Sequence, residues 1–193
     1  MLYFYSEMKL VIFDLDQTLV DLLSVYDEAK EKSFRKVFGI DARLSKVDFA
    51  DRSLSENSVE LARIKSVSEK VFREKRHQLL ENYEMFFVES IPKDASRYIL
   101  PGAKELLERL SKTDNLIVLY TSNSPGIVDS VFKATDLGKY FKFSFYGTQA
   151  ETRADMIRQA VEKAKELIGR EFESKDIVII GGLHQGCRMR QTV

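Results

Sequence analysis

Asp14-Leu15-Asp16-Gln17-Thr18 puts two carboxylates and a hydroxyl into one short stretch. Two carboxylates beside a phosphate ester repel it unless a divalent cation neutralises them, and a hard, oxygen-bound ion such as Mg2+ suits these ligands. With the charge balanced, one carboxylate can attack phosphorus while the other protonates the leaving oxygen. That division of labour needs two acids in different environments.

Such chemistry depends on the elements that hold it. Lys9–Asp14, reading KLVIFD, is a short apolar run ending in a carboxylate, the pattern of a strand buried on both faces. Open α/β sheets bind ligands at the carboxyl ends of their strands, where Asp14 and Asp16 would sit. Beyond it, Val25, Ala29, Phe34, Val37 and Phe38 recur at helical spacing, with Ser24 as the expected N-cap and Gly39 as the stop. Val59–Glu89 is charged but periodic and predicts one or two further amphipathic helices. After Pro92 and Leu100-Pro101-Gly102 the pattern changes. A helix over Ala103–Leu110 is followed by a strand at Leu116–Tyr120, a helix at Ile127–Ala134, a strand at Phe143–Tyr146, a helix at Arg153–Ile168 and a strand at Ile177–Ile180. Alternation of this kind predicts a Rossmann-like α/β core with a parallel sheet. The expected organisation is a discontinuous core, residues 1–20 and 93–193, interrupted by an all-helical domain over residues 21–92.

The run LVIFDLDQTLVD resembles the first motif of the haloacid dehalogenase (HAD) superfamily of phosphohydrolases, Asp-x-Asp-x-Thr after a buried strand. The resemblance covers roughly Met8–Thr18 and Leu100–Gly181, and the helical insertion looks like the family's type-one cap, which closes over the site and sets substrate choice. It implies that Asp14 is the nucleophile forming an aspartyl-phosphate and that Asp16 is the general acid and base. Thr18 is the motif's threonine. Mg2+ would be bound by the Asp14 side chain and the Asp16 main-chain carbonyl. A dehalogenase of the same fold would lack the second aspartate, so Asp16 favours phosphate chemistry. A signalling receiver domain would not carry so large an insertion after its first strand.

The family's second motif is a Ser or Thr at the end of the next strand, hydrogen-bonded to the transferring phosphoryl group. LIVLYTSNSPG offers Thr121 and Ser122; alignment of Asn123 and Pro125 with the family's Thr-Asn-x-Pro form favours Ser122, with Asn123 as a further substrate contact. The third motif is a basic residue, usually Lys, near the start of the helix before the last strand. No Lys lies between Tyr146 and Ala160, and Arg153 is the match, keeping the charge but not the reach of Lys.

The fourth motif, Gly-Asp-x-x-x-Asp, would supply further metal carboxylates. This chain reads IVIIGGLHQGCRMRQTV, with Gly182 in the place of the first Asp and no Asp or Glu after it. Permitted codons for Gly182–Arg190, read one base later, spell Asp-Cys-Thr-Lys-Asp-Val-Glu-Cys, which restores the motif in place. A shifted frame from Gly182 and a native end are both open, decided by the encoding DNA, and the alternative to an active enzyme is a catalytically impaired or inactive relative, a binding module or truncated gene product. His184 and Cys187 make too sparse a set for a metal site of their own.

Composition bounds the rest. Over 193 residues, 30 Lys and Arg offset 30 Asp and Glu, which gives no electrostatic case for nucleic acid. Cys187 is the single cysteine, so no intramolecular disulfide forms. Apolar runs such as Leu116–Tyr120 fall far short of the roughly 20 residues that span a bilayer. The expectation is a cytoplasmic, Mg2+-dependent phosphatase of a small phosphorylated metabolite, without nucleic-acid or membrane partners, as a monomer or homodimer.

Overall fold

The computed structural model describes residues 8–41, 54–147 and 153–181. Contacts divide them into two compact units, one of residues 8–23 with 88–147 and 153–181, the other of residues 24–41 and 54–87.

The first unit is built on four parallel strands, β1 (Leu10–Phe13), β2 (Leu116–Thr121), β3 (Ser144–Tyr146) and β4 (Ile177–Ile180), in the order β3-β2-β1-β4. Leu10 pairs with Leu116 on one side and Ile177 on the other, and Phe13 pairs with Leu119 and Ile180. Because β1 is central, its residues must be apolar on both faces, and all four are buried. Helix α6 (Arg153–Ile168) covers one face, packing Met156, Ala160 and Ala164 against Leu10, Ile12, Val118 and Tyr120. On the other face Phe13 meets Phe141 edge-on, and Phe141 stacks on Phe132 of α5 (Pro125–Thr135). A helix α4 (Ala103–Leu110) precedes β2. The α/β class expected from the alternating pattern is the architecture observed. Successive strands step away from β1 through β2 and β3, then return to its far side at β4. The strand order therefore reverses between β1 and β4, where such sheets open a crevice at their carboxyl ends.

At the opposite end of these strands, Asp176 accepts from Lys9 Nζ at 3.0 Å and from Arg170 at 3.2 Å, which ties the start of β1 to the approach of β4. The hydrogen bond from Lys9 and the two positive charges hold the Asp176 carboxyl below its ordinary range. A carboxylate of lowered pKa stabilises the fold above its unfolded value, and that contribution disappears as the pH falls through the folded one. Acid titration of unfolding should therefore show a steeper loss of stability in the wild type than in Asp176→Asn; equal acid limbs would contradict it.

The second unit's described elements are all helices: α1 (Leu23–Phe38), α2 (Leu54–Ile64) and α3 (Glu69–Ser90), the first and last of which extend slightly past its borders. Phe34, Leu61, Ala62, Phe72 and Leu79 form its core, and Tyr26 stacks on Phe87 at 4.6 Å. Gly39 ends α1 with a left-handed φ of 71°, the conformation a helix stop favours. The start of α1 differs from the expected cap: the helix begins at Leu23, whose amide donates to Asp21 Oδ1 at 3.4 Å, so Ser24 lies in the first turn and not before it. Lys30 of α1 is buried at 1% exposure, an unusual place for an amine. His77 is exposed and reaches Glu81 at 3.0 Å on the next turn. No helix among the described residues is long and apolar enough to cross a membrane.

Candidate functional site

β1 stops at Phe13, and Asp14 leaves the sheet with its amide still bonded to Ile180 O at 2.8 Å. Its carboxylate lies at the β1–β4 crevice, 4% exposed, and Oδ1 accepts from the amide of Leu15 at 2.8 Å. The chain then turns sharply. Gln17 takes a left-handed φ of 55°, its amide donates to Val20 O at 2.8 Å, and the amides of Leu19 and Val20 both donate to Leu15 O. Leu15, Leu19 and Val20 are fully buried and anchor the turn from below. A second tether comes from residues 98–100: Asp21 N donates to Tyr98 O, and Leu100 N donates to Leu19 O. Asp16 and Thr18 ride on this rigid turn, both half-buried. A short polar segment thus acquires fixed geometry because its apolar neighbours are locked into the core.

The other half of the site follows β2. Thr121, 1% exposed, is the last strand residue, and its Oγ1 accepts from the main-chain amide of Asn123 at 3.2 Å and from Asn123 Nδ2 at 3.3 Å. Asn123 Nδ2 also donates to Asp16 Oδ2 at 2.6 Å, joining the loops after β1 and β2. Ser122 is half-buried. Ser124 precedes α5 as its N-cap, with Pro125 at the first helical position. Its Oγ is buried and makes no hydrogen bond among the described residues, and it does not cap the helix. A hydroxyl left this way beside the positive end of a helix dipole suits an anion. Ser124 was not among the residues the sequence singled out; Ser-Pro directly before a helix was the available signal.

Two glycines are required by close approach. A Cβ on Gly147 would lie 2.5 Å from Ser122 O and 2.7 Å from its Cα, so β3 can end against this loop only without a side chain. A Cβ on Gly181 would meet Tyr120 Oη at 3.1 Å and the Asp14 Cβ at 3.2 Å. The end of β4 thus closes on Asp14 tightly enough that even a methyl group crowds it.

The structure therefore brings Asp14, Asp16, Thr18, Thr121, Ser122 and Asn123 to the carboxyl ends of β1 and β2. Arg153 is the first residue of α6, but its side chain lies outside the described residues. Arg158, farther along, is exposed and paired with Asp155. Gly182, His184 and Cys187, with the rest of the segment whose reading frame stands open, also lie outside the described residues.

Mg2+ is tested by the donors present. No group of three or more His, Cys, Asp or Glu among the described residues could hold a metal ion. A hard cation of this kind binds through only one or two carboxylates, completing its shell with water and substrate phosphate. Asp14 supplies a carboxylate of the right type and Asp16, two residues on, a main-chain carbonyl, so the donor set fits in kind.

Comparison with known proteins identifies the class. A family model of haloacid dehalogenase-like hydrolases matches residues 8–182, and the chain belongs to that family. Among solved structures, a predicted phosphoglycolate phosphatase from Haemophilus somnus is similar at 19% identity and a TM-score of 0.66, over 92% of this chain and 78% of that one. CbbY from Rhodobacter sphaeroides, in complex with phosphate, is similar at 14% identity and a TM-score of 0.65, over 89% and 76%. YfnB from Bacillus subtilis, bound to magnesium, is similar at 14% identity and a TM-score of 0.57, over 91% and 80%. At these identities the likeness establishes the α/β fold. No curated protein matches the chain.

Proposed function

We propose that the protein is a Mg2+-dependent phosphatase of small phosphorylated metabolites that works through a phosphoryl group carried on Asp14. The observation that carries this reading is the joining of Asp14 and Asp16, on one rigid turn, to the hydroxyl-bearing loop after β2 through the Asn123–Asp16 hydrogen bond. Mg2+, held by the Asp14 carboxylate and the Asp16 carbonyl, would offset the negative charge that otherwise keeps nucleophile and phosphate apart. Asp14 attacks phosphorus, and Asp16 gives a proton to the departing oxygen as its bond to phosphorus breaks. Asp16, now a carboxylate, takes a proton from the water that hydrolyses the acyl phosphate, which returns both groups to their starting state. Ser122, with Thr121 as the reserve, would donate to the phosphoryl oxygens, and Arg153 is the cation assigned to the same charge.

The test is phosphate release from p-nitrophenyl phosphate by the full chain, with Mg2+ and with excess chelator. Release that requires Mg2+ supports the reading, and turnover indifferent to chelation contradicts it. Gly182 stands in the place of the fourth motif's first aspartate, which favours a second reading, an impaired relative of active phosphatases. A frame-restored chain that turns over while this chain does not would support that one.

A further inference from the structure

Asn123 is buried at 4% exposure, and both hydrogens of its amide are already in use. One is donated to Asp16 Oδ2 at 2.6 Å and the other to Thr121 Oγ1 at 3.3 Å. The NH2 end faces Asp16 because Oδ2 is an acceptor there, which the amide carbonyl could not serve. The side chain is locked at its root as well, because its own main-chain amide bonds to the same Thr121 Oγ1 at 3.2 Å. A phosphate ester presents acceptors, and the other polar atom of the Asn123 side chain, its carbonyl oxygen, is an acceptor too. The residue is therefore ill suited to hold substrate and well suited to hold Asp16.

We propose that Asn123 is a positioning residue, which fixes the direction of the Asp16 carboxylate from the neighbouring strand loop through its hydrogen bond to Oδ2. This rests on the phosphatase reading above and deepens it. In the transfer step Asp14 forms its bond to phosphorus, the ester bond breaks, and the proton on the Asp16 carboxyl passes to the leaving oxygen, so the alcohol departs neutral and Asp16 is left as a carboxylate. The physical need for Asn123 comes from where Asp16 sits: the turn after β1 fixes its backbone, but a half-buried aspartate can still rotate about its side-chain bonds. A bond to a residue 107 positions away removes that freedom. Misdirection of a proton donor is costly because a general acid contributes about 10²–10⁴-fold only when it lies within hydrogen-bond reach.

Leaving-group dependence tests this. An aryl ester such as p-nitrophenyl phosphate expels an oxyanion that needs little help from an acid, whereas 2-phenylethyl phosphate expels an alkoxide that does. In Asn123→Ala, kcat on the alkyl ester should fall about 100-fold, at least ~30-fold more than on the aryl ester, with KM for either changed by less than about three-fold. Asn123→Asp keeps the shape and sets a second carboxylate against Asp16, and it should show the same asymmetry, so a poorly folding Ala variant does not remove the test. A thermal-unfolding cycle over Asp16→Ala, Asn123→Ala and the double variant should give a non-additive Tm change. Equal losses of kcat on both esters, a rise in KM alone, or additive Tm changes overturn the inference. If the wild type releases phosphate from neither ester, the phosphatase reading falls and this inference with it; a wild type active on both with symmetrical variant losses sinks this inference alone.

Discussion

Asp14→Asn abolishes phosphate release, by about 10³-fold or more, while leaving the fold in place. The amide is nearly isosteric with the carboxylate and keeps an oxygen to accept from the Leu15 amide, now made at 2.8 Å. The tie between Asp14 N and Ile180 O is main chain only and is untouched by the substitution. The loss therefore reads chemistry rather than unfolding. An amide nitrogen, its lone pair delocalised, cannot attack phosphorus as a carboxylate does, and Asn removes a charge that would help hold Mg2+. Two measurements check it together: steady-state release from p-nitrophenyl phosphate, and intact mass of acid-quenched protein. The wild type should carry one phosphoryl group under turnover and the variant none. Turnover by Asp14→Asn within ten-fold of the wild type would remove Asp14 from the nucleophile's role.

How much of this site could be read before the structure depends on where its determinants lie in the chain. The Asp14 position was legible because β1 is a central parallel strand, and burial on both faces forces the uninterrupted Leu10–Phe13 run with the carboxylate directly at its end. The helix over Arg153–Ile168 and the strand at Ile177–Ile180 were legible for a different reason, since one periodicity gives way to another. The start of α1 was not, because Ser24 has the type of a cap but lies inside the first turn, and the apolar Leu22 and Leu23 before it mark no boundary. Nor was the Asn123–Asp16 bond. It joins residues far apart in sequence whose individual types fit a polar loop equally well, and only the parallel pairing of β1 with β2 brings them together. The Gly147 requirement is likewise tertiary, set by a neighbouring strand's main chain.

Lys30 shows the same limit in the helical unit and leads to the largest effect expected on stability. Its position is four residues from both Tyr26 and Phe34, on the buried stripe of α1, where helical spacing calls for an apolar side chain. Burial pushes its amine down from 10.5 to about 7, against the opposing influence of the Asp27 charge. A lysine whose folded pKa is lowered binds its proton more tightly when unfolded. The penalty is therefore complete below about pH 7, and stability rises with pH from there until the unfolded amine also loses its proton near 10.5. At about 1.36 kcal/mol per unit, the full range corresponds to roughly 5 kcal/mol. Lys30→Met keeps an unbranched stem of similar length and removes the amine, so it should stabilise the protein at neutral pH by a few kcal/mol, less what Asp27 loses with its counter-charge. Urea unfolding between pH 6 and 10 should show a rising midpoint for the wild type and a flatter profile for the variant. A variant that is less stable at pH 7, with the wild-type slope intact, would mean that the ammonium is well solvated by its surroundings in the folded state and that its burial carries no such penalty.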